Sequence, residues 1–207
     1  MIKTKKGNEE EGKHYFETDA FSYLAKVSNE KVIQKNKIIK ILKKIPKKEN
    51  YLDVGAGAGD ISFDIAKKFK KSVLVEPGDK MFKILKKRAK KNKSIRLIKS
   101  NWEDFYLKNK KKYTNKFDLI TLVHVVYFLK PLKEKLDEIL RFLSPKGKLI
   151  IICPTGKNDR KSFYAIRQKL LKKPFEAHPD FADIPKMFPK KLTHYDINSR
   201  TKLRAFN

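Results

Sequence analysis

The chain alternates between short apolar runs and longer segments in which apolar residues recur at helical spacing. The runs predict five strands, the first starting at Tyr51 and the others spanning Ser72–Glu76, Ile95–Lys99, Phe117–Val123 and Lys148–Cys153. Helical spacing predicts a helix over residues 29–45 and one just after Gly59. It also predicts a helix that starts at Pro77-Gly78-Asp79 and has its apolar face from Met81 to Ala89, and one from Leu132 to Leu143. Because strands alternate with helices, we predict an α/β fold: a doubly wound, mostly parallel sheet with helices on both faces.

The two ends of the chain are less regular. Residues 1–28 are polar and then rich in aromatic side chains, and we expect them to form an N-terminal arm or lid. Residues 29–207 are then the single main domain. Beyond the fifth strand the pattern predicts a helix near 158–172, an irregular loop over 174–190 and a sixth strand over Leu192–Ile197.

A glycine turn follows the first strand, in the sequence Leu52-Asp53-Val54-Gly55-Ala56-Gly57-Ala58-Gly59-Asp60. Glycines let a backbone bend tightly and approach a ligand closely, and Asp60 is a plausible N-cap of the next helix. The third glycine comes one residue earlier than in the G-x-G-x-x-G pattern of dinucleotide sites. The charge of Asp53 would repel a diphosphate and favour a ligand with an ammonium or sulfonium group. The alternative is a turn that binds no ligand.

This glycine turn resembles the first motif of class I S-adenosylmethionine-dependent methyltransferases. An acid, Glu76, stands at the end of the second predicted strand, where a carboxylate can accept both ribose hydroxyls of an adenosine. In the resembled family the adenine amino group is accepted by an acid after the third strand, and here Asn101 takes that place. The resemblance therefore implies S-adenosylmethionine as cofactor and a site formed by Asp53, Gly55, Ala56, Gly57, Gly59, Glu76, Pro77, Asn101, Trp102 and His124.

Within this set the resemblance implies different roles. Asp53 would orient the ammonium group of the cofactor, and Gly55 and Gly57 would admit its methionyl part. Trp102 would offer its backbone N–H to the adenine, while its ring would either flank the base or fill the core. The resembled family also closes its sheet with a seventh, antiparallel strand, which the sequence pattern does not show. We therefore expect either a truncated C-terminal part or an abbreviated sheet.

The implied reaction is transfer of a methyl group from a sulfonium to a nucleophile. The donor is already activated, so the protein mainly supplies alignment. A general base is required only if the acceptor arrives protonated. His124, at the end of the fourth strand, is the candidate catalytic residue, and Tyr127 is a second candidate that could equally pack below the site. Cys153 reads as a buried strand cysteine, and no residue cluster has the spacing of metal ligands.

The charge of the chain leaves its partner open. Lysine and arginine number 51 against 23 aspartate and glutamate, a net charge of +28. Such a charge can bind nucleic acid by counterion release, but the lysines are spread over almost every predicted helix and loop. We therefore expect a small-molecule acceptor, with an RNA-directed methyltransferase or a basic nucleic-acid-binding module as the alternative. A third hypothesis is a nicotinamide-dependent oxidoreductase. The glycine spacing and Asp53 argue against it.

The remaining features concern location. The start of the chain lacks the apolar run of a signal peptide, and the longest apolar run, Leu119 to Leu129, is shorter than the roughly 20 residues of a membrane span. One cysteine, Cys153, excludes an internal disulfide. These features predict a cytoplasmic protein without a membrane partner. They leave the oligomeric state undetermined.

Overall fold

The computed structural model describes residues 29–90, 92–153 and 184–187. In chain order the elements are α1 (Glu30–Leu42), β1 (Asn50–Val54), α2 (Ser62–Ala66), β2 (Lys71–Val75), α3 (Asp79–Ala89), β3 (Ile95–Ile98), α4 (Trp102–Tyr113), β4 (Phe117–Val123), a 3₁₀ helix (Val126–Phe128), α5 (Leu132–Leu140), β5 (Leu143–Ile152) and α6 (Ile184–Met187). The predicted helix over 158–172 and the predicted sixth strand lie outside the described residues. The same holds for the N-terminal arm over residues 1–28.

The five strands form one parallel sheet in the order β3-β2-β1-β4-β5. This confirms the predicted doubly wound fold. The strand order reverses between β1 and β4, and open α/β sheets bind their ligands outside the carboxyl ends of the strands at such a point. We call this side of the sheet the carboxyl edge and the opposite side, where the strands begin, the amino edge.

The core lies on both faces of the sheet because alternate strand residues point to opposite faces. Leu52 and Val54 of β1 pack on one face, in a cluster with aromatic residues of α4 and with Phe142. Tyr51 packs on the other face, with apolar residues of α1, α2 and α3. Strand β4 is buried along nearly its whole length, which explains why its sequence is mostly apolar.

Three local predictions differ from the structure. The helix after the glycine turn begins at Ser62 with Ile61 as N-cap, so the prediction of Asp60 as the N-cap was wrong. Strand β5 begins at Leu143, earlier than predicted, because the backbone pairs with Phe117 across a register shift before the regular ladder starts. Helix α4 was not predicted, although Asn101 caps it by accepting a hydrogen bond from the Asp104 amide at 2.8 Å.

Candidate active site

The glycine turn connects the end of β1 to α2 at the carboxyl edge. Gly55, Gly57 and Gly59 all have positive φ, at 76°, 55° and 82°, a conformation that glycine adopts more readily than other residues. The amides of Gly55 and Ala56 donate to the carbonyl oxygen of Val75 at 2.9 and 3.0 Å, which fixes the turn against the end of β2. A β-carbon built on Gly57 would meet no atom within 4 Å, so the space beside this residue is open.

Asp53 lies below the turn rather than facing that space. Its carboxylate is buried, and it accepts hydrogen bonds from the hydroxyls of Ser62 and Thr121, the latter at 2.6 Å. Burial raises the pKa of Asp53, while these hydrogen bonds act in the opposite direction. Ser62 and Thr121 were not singled out from the sequence, because no spacing pattern relates them to Asp53. The Asp53 carboxylate therefore stabilises the turn from the core side. It can act on a bound cation only at a distance, through its buried charge.

Glu76 directly follows β2 and reaches across to the glycine turn. Its Oε2 accepts a hydrogen bond from the Gly57 amide at 2.8 Å, and its Oε1 accepts one from the Gly78 amide at 2.8 Å. Burial raises the pKa of this carboxyl, and the two amides partly offset the effect. The Glu76 carboxylate is thus fixed to the backbone of the glycine turn at Gly57, and its role toward a ligand stays a prediction.

Asn101 and Trp102 lie at the start of α4. The Asn101 side chain is exposed, and its oxygen is the helix cap, which leaves one lone pair for another donor. The Trp102 ring is buried, stacks near Tyr106, and donates from Nε1 to Glu138 at 2.7 Å. Of the two readings of this ring, the structure shows the core-packing one. The Trp102 amide belongs to the first helical turn, where N–H groups have no partner within the helix.

His124 ends β4 with φ of 53°, a conformation in which histidine is enriched but which is uncommon for residues other than glycine. Its Nε2 lies 3.0 Å from Glu30 Oε1 and 2.8 Å from Gln34 Nε2, both on α1. The hydrogen bond with His124 lowers the pKa of Glu30, against the effect of burial. Nε2 can therefore donate to Glu30 or, when bare, accept from Gln34. Within the described part of the chain, Nδ1 makes no hydrogen bond.

The residues after His124 complete this side of the site. Val125 packs on the glycine turn, since a β-carbon on Gly55 would lie 2.7 Å from Val125 Cγ2. The rings of Tyr127 and Phe128 meet edge to face at 4.8 Å, and Phe128 is 52% exposed. Pro77 is exposed after β2. The end of β4 thus presents an aromatic surface beside the glycine turn.

Asp60 fastens the far side of the glycine turn. It forms ion pairs with Lys31 of α1 and with Arg88 of α3, whose guanidinium also donates to the Ala58 carbonyl oxygen at 2.8 Å. Burial alone would raise the pKa of Asp60, but the hydrogen bonds from Lys31 and Arg88 lower it below its usual 3.8. The turn is therefore held to two helices by charge.

We expect Asp60→Asn to lower the free energy of unfolding by about 1 kcal/mol at neutral pH, because both ion pairs lose their anion. A lowered folded-state pKa gives stability that is complete above 3.8 and is lost as pH falls through the folded-state value. The difference between the proteins should therefore shrink as the pH is lowered from about 5 towards 3. Urea unfolding at several pH values measures this. Asp104→Asn, at an exposed site, is the control and should change stability by only a few tenths of a kcal/mol.

Other groups add little to the site. Burial raises the pKa of the Cys153 thiol to about 11, which keeps it unreactive at neutral pH. Over the described ranges, no group of histidine, cysteine, aspartate and glutamate could hold a metal ion. No helix within those ranges is long and apolar enough to cross a membrane.

Comparison with known proteins identifies the family. Residues 45–189 match the family model described as a methyltransferase domain, and the chain belongs to this family. Membership implies S-adenosylmethionine as the cosubstrate. The open space at Gly57, with Glu76 beside it, fits such a group. No curated protein matches the sequence.

Solved structures share the fold at low sequence identity. A SAM-dependent methyltransferase from Aquifex aeolicus is 21% identical over 72% of this chain and 76% of its own, with a TM-score of 0.53. The YcgJ protein from Bacillus subtilis is 17% identical over 72% of this chain and 64% of its own, with a TM-score of 0.54. A protein from Methanococcus maripaludis is 21% identical over 73% of this chain and 66% of its own, with a TM-score of 0.50. The chain spans only 49% of a Leishmania major methyltransferase that it also matches.

Proposed function

We propose that this protein transfers the methyl group of S-adenosylmethionine to a small molecule bound between the glycine turn and the end of β4. The observation that carries the proposal is the position of Glu76, whose carboxylate is 2.8 Å from the Gly57 amide and borders the open space at that glycine. When bound, the cosubstrate supplies an activated methyl group on sulfur. The residues of the chain bind it, orient it and prepare the acceptor.

In this proposal the cosubstrate is held by the residues around the turn. Glu76 accepts from the ribose hydroxyls, since each carboxylate oxygen has a lone pair beyond its bond to a backbone amide. Asn101 and the Trp102 amide bind the adenine. Asp53 favours the ammonium group only indirectly, through its buried charge below the turn.

His124 is the proposed general base. When Glu30 accepts the Nε2 proton, the ring has a bare Nδ1, which can take a proton from the acceptor. The imidazolium formed in this way keeps its Nε2–H bond to Glu30, which stabilises the charge. Glu30 is thus a positioning residue that acts through His124.

The distribution of charge supports a small acceptor rather than a nucleic acid at this site. The carboxyl edge carries carboxylates at the strand ends and helix starts, namely Glu30, Asp53, Asp60, Glu76, Asp79, Glu103 and Asp104. Two lysines of this edge, Lys31 and Lys99, are paired with Asp60 and Asp79. Among the described residues of this edge, a phosphate backbone would therefore meet no unbroken positive surface.

Isothermal titration calorimetry with S-adenosylhomocysteine and with NAD tests the cofactor assignment. Binding of the first without the second supports the proposal, and binding of NAD alone overturns it. Incubation with S-adenosylmethionine labelled in its methyl group, together with either a metabolite extract or a mixture of transfer RNAs, tests the acceptor class. Label recovered only in RNA would overturn the small-molecule assignment.

Glu76→Ala is expected to weaken S-adenosylhomocysteine binding about thirtyfold, because hydrogen bonds to a charged acceptor contribute about 1.5–3 kcal/mol. The amides of Gly57 and Gly78 also lose their partner, so the turn is less well ordered. Calorimetry gives the affinity directly. Glu103→Ala, at an exposed site in the first turn of α4, should bind as the parent does. Equal affinity of Glu76→Ala and the parent would contradict the ribose role.

A further inference from the structure

The lysines that are scattered along the sequence are gathered in space by the topology. In a parallel sheet every helix that leads into a strand ends at the amino edge. Exposed lysines occupy the last helical turns, the following loops and the strand starts there: Lys43, Lys44, Lys47, Lys67, Lys68, Lys70, Lys71, Lys86, Lys87, Lys90, Lys93, Lys110, Lys111, Lys112 and Lys116. We call this set the basic edge.

Backbone hydrogen bonds hold the segments of the basic edge side by side. They link the approach to β1 with β2, the start of β2 with β3, and the start of β4 with the approach to β5. The bonds run from Lys70 N to Lys48 O at 3.0 Å, from Ser72 N to Ser94 O at 2.8 Å and from Asn115 N to Arg141 O at 2.9 Å. The lysines therefore form one surface across neighbouring strands rather than separate patches.

Few carboxylates interrupt this surface. In the described loops and strand starts that lead into β1 to β4, the carboxylates are Glu49 and Asp118. Glu49 pairs with Lys70 at 2.8 Å. Asp118 is buried and accepts from the amides of Glu49 and Asn50 at 2.9 and 3.1 Å, so its charge is used inside the fold. Most of the acidic residues named above lie at the opposite edge.

Folding energetics do not account for the number of lysines at this edge. A cation in the last turn of a helix is stabilised by the helix dipole, and the effect is confined to that turn. Lys47, Lys71, Lys93 and Lys116 lie beyond the helix ends. Like charges held this close repel one another and lower the stability of the compact state. An anionic partner would neutralise these lysines and remove the repulsion between them, so the surface is suited to binding such a partner.

The chemistry of the surface favours a phosphate backbone. Lysines bind phosphates as point charges and lack the planar fork with which arginine makes two parallel hydrogen bonds. Neighbouring strands are about 4.8 Å apart, and a nucleic-acid duplex carries one charge per roughly 1.7 Å of its axis. Lysines spread over four strands and the helices on both faces can therefore contact several phosphates at once. Of the exposed large apolar residues in the described ranges, the aromatic one is Phe128, at the carboxyl edge. Base stacking therefore has no exposed aromatic side chain to use among the described residues of the basic edge.

We propose that the basic edge binds the phosphate backbone of nucleic acid without sequence preference, on the side of the domain opposite to the methyl-transfer site. The protein would then be held on a nucleic acid while its glycine turn and the end of β4 face away from it. This proposal is independent of the acceptor and of the assigned cosubstrate.

Fluorescence anisotropy with labelled duplex RNA and duplex DNA of mixed sequence tests it over a range of salt concentrations. The edge variant combines Lys71→Gln, Lys93→Gln and Lys116→Gln. The control variant combines Lys83→Gln, Lys99→Gln and Lys130→Gln, which remove the same charge from exposed sites off this edge. The edge variant should bind at least about tenfold more weakly at low salt, and its salt slope should fall by roughly one for each phosphate that a lysine no longer neutralises. The control variant should bind within about twofold of the parent, because the proposal attributes the affinity to contacts between basic-edge lysines and phosphates and not to net charge.

Two results would overturn the proposal. One is an equal loss of affinity in both variants, which would mean that diffuse charge alone attracts the polyanion. The other is binding of the parent to vesicles of anionic phospholipid with no binding to either duplex. Urea unfolding of both variants shows whether they are folded, and it keeps this test separate from the proposed methyl transfer.

Discussion

Gly57→Arg is expected to reduce the affinity for S-adenosylhomocysteine by at least about a hundredfold, or close to 3 kcal/mol. The space that a side chain at this position would enter is open, since its β-carbon meets no atom within 4 Å. A long, charged side chain would therefore extend into the proposed binding space. Because the backbone of residue 57 is left-handed, an arginine there would add strain of about 1–2 kcal/mol to the folded state. Calorimetry measures the affinity, and urea unfolding measures the strain.

Gly59→Ala is a comparison at a second glycine of the turn, where the added β-carbon would enter the core. Gly59 also has positive φ, but a β-carbon there would overlap the Phe63 ring and lie 2.8 Å from Leu85 Cδ1. This substitution should therefore destabilise the packing of α2 and α3 more than it affects the binding space. If Gly57→Arg bound S-adenosylhomocysteine as tightly as the parent, the turn would not be the binding site.

His124→Asn is expected to lower kcat by about a hundredfold for an acceptor that arrives protonated, since general-base catalysis contributes roughly 10²–10⁴-fold. Asparagine tolerates the positive φ of this position, so the backbone at the end of β4 should be retained. Affinity for S-adenosylhomocysteine should stay within about threefold, because the change removes a proton acceptor rather than a contact with the nucleoside. The measurement is steady-state methyl transfer alongside calorimetry.

Glu30→Gln separates positioning from catalysis at the same site. It keeps the shape of the side chain but loses the acceptor that favours a proton on His124 Nε2. We expect a kcat loss on the order of tenfold and a change in the imidazole tautomer, visible in ¹⁵N NMR spectra of the ring. An unchanged kcat, or a tautomer equal to that of the parent, would contradict the role of Glu30. Asp104→Asn again provides the control.

The sheet could be predicted from the sequence because burial on both faces makes each central strand largely apolar. Strand β4, from Phe117 to Val123, is the clearest example. Helix α4 escaped prediction because its apolar face is aromatic and its remaining positions are crowded with lysines, so the helical period is weak. Its signal was the cap, Asn101. Asp60 was misassigned because an acid just before a helix resembles a cap, whereas here it pairs with Lys31 and Arg88 from distant segments.

The sequence by itself determined which chemical groups stand at the strand ends: three glycines, Glu76 and His124. These follow from chain order, because each lies directly after a strand and the carboxyl ends of parallel strands share one edge. Only the tertiary structure decided which atoms those groups meet. It directed the Asp53 carboxylate into the core, and it joined His124 to Glu30 on a helix far away in the sequence. It also brought the lysines together at the amino edge. The lysines lie in separate segments of the sequence, and these segments become neighbours only when the sheet forms.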